Sequence, residues 1–217
     1  MLPDVLISSS HLLIGCGSSI YRLINHSSDH YFDVLPEFIF ASTGIAAIAG
    51  KCLFSLGYHL FWRKYPIDPL LIEEDINSRR NERNVIDSSL SIFGLASLIY
   101  ALYHHHDYQA TGVIIISSLA LAEFFFMSED LLKSQSHTPP EDKKSTDNHL
   151  KWLWILSFGT FGCAMNNNYA RLATVPCVIS NLIYPPDAFS HGWSLRNCLM
   201  DYMTLLYIIL MTEAICQ

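Results

Sequence analysis

FIFASTGIAAIAGKCLFSLGYHLFW, residues 38–62, carries a single formal charge, Lys51, in an otherwise apolar run. As a helix it is long enough to cross about 30 Å of hydrocarbon, which takes roughly 20 residues. A second run of this kind, ATGVIIISSLALAEFFFMSEDLL, occupies 110–132. Four weaker blocks stand at 5–24, 86–106, 150–175 and 193–216. The first has Ser8, Ser9, Ser10 and His11 inside it, and the fifth runs through Asn166, Asn167 and Asn168 before Pro176. Asp4 is the only charge ahead of the first block, so it lacks the cationic start of a secretory signal and is expected to be a span.

Composition agrees with lipid as the solvent. Of the 217 residues 51% are apolar and only 15% charged, against about a quarter charged in soluble domains, and the mean hydropathy is +0.26. The expected fold is all-α, a multi-pass transmembrane helical bundle of about six spans, with residues 1–217 forming one polytopic domain. The net charge of −7 is no nucleic-acid footprint, and no phosphate loop or CxxC pair occurs. Most of the six cysteines fall inside spans, where they act as small apolar residues and disulfides are not expected.

Between the blocks the charge alternates. Segment 63–85 holds Arg63, Lys64, Arg79, Arg80 and Arg83, and segment 133–151 holds Lys133, Lys143, Lys144 and Lys151. Segments 25–37 and 107–109 hold neither Lys nor Arg. The positive-inside rule places the basic segments in the cytosol and, with six spans, both termini there as well. The polar, Pro-centred stretch at about 133–150 reads as a flexible cytoplasmic loop. Asn25 opens the only N-x-S/T sequon, on the outer side but close to the bilayer. No sorting signal assigns an organelle.

Ionisable groups within spans are costly and so mark candidate sites. Lys51 lies deepest; Glu123 and Asp201 are its possible counter-charges, and its long stem also allows snorkelling. LIYALYHHHDYQATG, residues 98–112, invites a metal reading. Adjacent helical residues are turned about 100° apart, so His104, His105 and His106 cannot share an ion, and only His104 with Asp107 has workable spacing. With Tyr100, Tyr103 and Tyr108 nearby, the triplet reads first as an interfacial anchor.

LPEF at 35–38, LFSLGYHLFW, GLASLIYALY, HHHDYQATG and HGWS together resemble the transmembrane protein 187 family across most of the chain. More distantly, that family is similar to the alkaline ceramidase and progestin-receptor-like membrane hydrolases. The resemblance implies a zinc site built from a His four residues after a Ser and an HxxxH pair opening the last span. Here Ser97 matches the Ser and His191 the first His of the pair, but Ala101 and Leu195 occupy the other two positions. Zinc needs at least three protein ligands to hold a catalytic water. The expected reading is a non-catalytic membrane protein binding lipid head groups or partner helices, without a cofactor and with Lys51, Ser97, Glu123, His191 and Asp201 as candidate polar site. Two alternatives stay open: a zinc-dependent lipid amide hydrolase with displaced ligands His104, Asp107 and His191, and a small-molecule or ion carrier.

Overall fold

The computed structural model describes residues 2–30, 35–61, 73–134, 143–182 and 193–217. They form seven helices and, among the described residues, no strand: α1 (Leu2–His30), α2 (Pro36–Phe61), α3 (Glu73–His105), α4 (Gln109–Ser134), α5 (Lys143–Ala164), α6 (Asn168–Leu182) and α7 (Trp193–Ile215). Sequence neighbours pack side by side from α1 to α7, and α7 closes the ring against α1 while also touching α2 and α3.

The seventh helix comes from the expected fifth block. Residues 150–175 are not one span but part of an antiparallel hairpin, α5 and α6, turned at 165–167. Asn166 takes the left-handed conformation (φ 56°), which Asn tolerates better than most residues. Asn167 then caps α6: its Oδ1 accepts from the Ala170 amide at 3.0 Å. Arg171 closes the other side by donating to the Gly162 carbonyl and to Asn166 Oδ1. The α3–α4 turn is made the same way, with Asp107 at φ 63°. The loop expected at about 133–150 is partly helical, since α5 begins at Lys143; residues 135–142 lie outside the described ones.

Helix directions follow from the contacts. Ser9 lies against Asp201 and Arg22 against Glu213, so α1 and α7 are parallel. Ser27 with Leu35 and Cys52 with Ser9 make α2 antiparallel to α1; Glu37 with His104 and Lys51 with Ser91 make α3 antiparallel to α2. The bundle thus has a histidine end, with His26, Glu37, His104 and the α5–α6 turn, and a basic end. Toward the basic end lie the starts of α3, with Arg79, Arg80 and Arg83, and of α5, with Lys143 and Lys144. The Lys- and Arg-free connections are together at the histidine end, as the charge pattern requires. The start of α1 and the end of α7 lie at opposite ends, whereas six spans would have put them together.

The core is aliphatic and aromatic, with Leu23, Ile45, Leu98, Leu102, Trp154, Phe158 and Ile208 fully buried or nearly so. The backbones of α2 and α3 approach closely where the helices cross: a Cβ on Gly44 would stand 2.7 Å from the Gly94 carbonyl oxygen. Outward faces are apolar on every side, including Ile14, Leu53, Ile114, Phe124, Leu156, Leu172 and Leu206. Two helical stretches, Pro36–Gly57 and Cys198–Ile215, are long and apolar enough to cross a membrane. At 15 residues, about 22 Å, the described part of α6 is shorter than a hydrocarbon core.

Candidate functional site

Near the basic end, α1, α2, α3 and α7 turn polar side chains toward one another. Asp201 accepts hydrogen bonds on Oδ2 from Ser8 Oγ (2.7 Å) and Ser9 Oγ (3.0 Å). Half-buried Lys51 donates from Nζ to Ser91 Oγ at 2.7 Å and lies near enough for its charge to act on Asp201. Cys52, the next residue along α2, reaches the Ser9 carbonyl at 3.6 Å. A carboxylate held by two hydroxyl donors, with an ammonium in the same neighbourhood, can take up a cation or exchange a proton.

The serines owe this to where they lie on their helix. The exposed hydroxyls of Ser10, Ser18, Thr43, Ser118 and Thr160 each bond the carbonyl four residues back on their own helix. That is the choice open to a hydroxyl with no outside partner. Ser8 and Ser9 are buried and instead reach across to α7. The serines that weaken the hydropathy of the first block are therefore its interior face.

The structure brings Lys51 and Asp201 into one neighbourhood and separates the other candidates. Glu123 accepts from Trp154 Nε1 at 3.3 Å, between α4 and α5. Ser97 is buried where α3 crosses α2 at Gly44, and Ala101 is part of the apolar core. His191 lies outside the described residues. Asn25 sits within helix α1, and Ser27 of its sequon is fully buried, so the sequon is not presented on a loop.

At the histidine end, His104 Nδ1 and Glu37 Oε2 are 3.2 Å apart, both largely buried. Glu37 is in the first turn of α2 and His104 in the last turn of α3, the positions where a helix dipole favours a negative and a positive group. His104 is therefore tied to another helix. Asp107 is exposed in the turn. His106, also in the turn, lies 3.4 Å from Asn167 Nδ2, which donates to the Ala214 carbonyl at 2.8 Å. Burial pushes the His106 imidazole below its ordinary pKa, the neighbouring His105 adds to this, and Asp107 opposes it.

Among the described residues, no three His, Cys, Asp or Glu side chains converge as ligands for an ion. Of the displaced zinc set, His104 and Asp107 are described and His191 lies outside the described residues.

Neither Glu37 nor Ser8 and Ser9 stand out in the sequence as site residues. Glu37 looks like an ordinary helix start, and three serines in a row look like a defect in a span. The one available signal was an acidic first turn in α2 facing a histidine-rich last turn in α3. Comparison of the chain with protein-family models, with curated proteins and with solved structures finds no match.

Proposed function

We propose that the chain is a multi-pass integral membrane protein whose helices cross or enter the bilayer around a polar interior, and that it binds lipid or partner helices rather than catalysing a reaction. The observation that supports this is the distribution of polarity. Only 28% of the Pro36–Gly57 stretch and 33% of Cys198–Ile215 is buried inside the bundle. A core helix of a water-soluble protein would bury most of such a length; here the rest is half-buried or exposed, with Ile39, Phe40, Leu53 and Phe54 of α2 and Tyr202, Leu206 and Ile209 of α7 outward among the apolar faces of the other helices. Polar groups are meanwhile buried: Ser8, Ser9, Glu37, Ser97 and Asn167. The juxtaposed Asp201 and Lys51 favour a second reading, an ion or proton carrier, in which transport would fail in Asp201→Asn.

In this reading the basic end faces the cytosol and the C terminus lies across the membrane from the N terminus. An epitope inserted at Ser136 and another appended after Gln217 test it in cells whose plasma membrane alone is permeabilised, and then in fully permeabilised cells. The Ser136 epitope is expected to be reached from the cytosol and the Gln217 epitope only after full permeabilisation. Cytosolic access to both would restore a six-span arrangement, and extraction of the chain by alkaline carbonate would remove the membrane reading altogether.

A further inference from the structure

Between α1 and α7 runs a groove of about 390 Å³, open to the outside of the bundle and almost wholly apolar in its lining, with Ile14, Leu205 and Ile209 along it. Its two ends differ from its middle. At one end Arg22 Nη2 and Glu213 Oε2 form an ion pair at 2.6 Å; at the other, His11 Nδ1 and the Tyr202 hydroxyl are 3.0 Å apart. Thr212 lines the groove beside the ion pair, is 1% exposed, and has no hydrogen-bond partner for its Oγ1. This sets it apart from the outward-facing hydroxyls of Ser10, Ser18 and Thr43, which satisfy themselves on their own helices. A buried hydroxyl left unpaired is costly, and a ligand that supplies its partner recovers that cost.

Position defines the ligand further. Glu213 is adjacent to Ala214, whose carbonyl holds the α5–α6 turn through Asn167, so the ion pair sits at the level of the turns. From Arg22 back to His11 the helix rises about 16 Å, roughly half of a 30 Å hydrocarbon core. The groove therefore covers one leaflet, charged where head groups lie and apolar where chains lie. Arg22 is 58% exposed and, with five N–H donors, can serve a second acceptor beyond Glu213. A ligand carrying a single charge would meet one favourable and one unfavourable partner at this rim; a zwitterion meets two favourable ones.

We propose that the α1–α7 groove holds one zwitterionic phospholipid of the leaflet at the histidine end. Its phosphate lies on Arg22, its ammonium on Glu213, an ester carbonyl accepts from Thr212 Oγ1, and an acyl chain lies along Ile14, Leu205 and Ile209. The inference rests on the membrane reading above.

The test uses the full chain reconstituted in phosphatidylcholine nanodiscs containing a trace of phosphatidylcholine with a photoreactive diazirine on one acyl chain. After illumination, labelled residues are mapped by peptide mass spectrometry. Labelling is expected to concentrate on Ile14, Leu205 and Ile209 over the exposed Leu121 and Phe124 of α4. It should fall about tenfold in Arg22→Met and in Glu213→Gln, the loss expected for one charge-assisted hydrogen bond. Ile209→Trp, which fills the groove without touching its charges, should also abolish it. Phosphatidylglycerol should compete more weakly than phosphatidylcholine. Even labelling of all outward faces, unchanged labelling in the three variants, equal competition by phosphatidylglycerol, or crosslinks to another polypeptide at the groove would each overturn the proposal while leaving membrane integration intact. Carbonate extraction of the wild-type chain would overturn both.

Discussion

Lys51 and Asp201 lie 150 positions apart in the chain and share one neighbourhood, in which the Lys51 charge acts on Asp201 and serine hydroxyls bond both groups. Lys51→Met keeps the stem and removes the charge, leaving Asp201 with its serine hydrogen bonds but without this counter-charge. A loss of about 1–3 kcal/mol is expected in detergent unfolding, less than for a fully buried pair because Lys51 is only half-buried. Lys51→Met combined with Asp201→Asn should cost less than the two changes summed, and strict additivity would show that they do not interact. His106 has the opposite dependence on charge. Its pKa lies below the ordinary value, so the fold favours neutral imidazole. Its contribution is complete above about pH 6.5 and is lost as pH falls through the lowered value. Thermal unfolding measured between pH 7.5 and 5 should therefore shift downward on acidification, with a shallower slope in His106→Gln; an unchanged slope would exclude His106 as a contributor.

The pairing of α2 with α3 depends on two glycines whose backbones meet. The added methyl of Gly44→Ala would stand 2.7 Å from the Gly94 carbonyl oxygen and 3.0 Å from Ser97 Cβ, and neither can swing away as the tip of a long side chain can. In the membrane reading, such close helix contacts replace the hydrophobic driving force that lipid cannot supply. Gly44→Ala is expected to cost about 1–3 kcal/mol by overpacking. Gly17→Ala is the control: nothing lies within 4 Å of its Cβ, so it should be neutral or stabilise by up to about 1 kcal/mol through helix propensity. Equal effects in detergent unfolding would mean that the crossing is looser than the geometry implies. The sequence makes α2 legible as a helix, but its crossing point on α3 is not, because glycines also occur at positions such as 17 and 50 where nothing approaches.

For the whole molecule, the decisive property is which solvent its outer faces meet. Ile114 is 66% exposed on α4. In water, Ile114→Lys would be harmless or would improve solubility. In a bilayer, a lysine on the outward face of a span costs insertion free energy, about 2.5–3.5 kcal/mol at the centre and less at Ile114, five residues past the start of α4. The carbonate-resistant fraction of Ile114→Lys is therefore expected to fall well below that of wild type, whereas an unchanged fraction together with higher soluble yield would favour an aqueous bundle. The same bundle explains how much could be read without it. Blocks 38–62 and 193–216 reappear as α2 and α7, and the division between basic and Lys- and Arg-free connections reappears as the two ends of the ring.

The sequence alone determined the helical class, the two stretches long and apolar enough to cross a membrane and the sorting of charge between the two ends, because each is a sum over neighbouring residues. Tertiary structure decided the rest. Hydropathy averaged over 150–175 cannot register a turn made by one left-handed asparagine and a cap on the next residue, yet that turn makes seven helices where six were expected and reverses α7. Reversal carries Asp201 to Ser8 and Ser9, and Glu213 to Arg22, across more than 190 positions of chain. Polar residues that look like flaws in a span are compensated only by partners this distant, and no local window contains both members of such a pair.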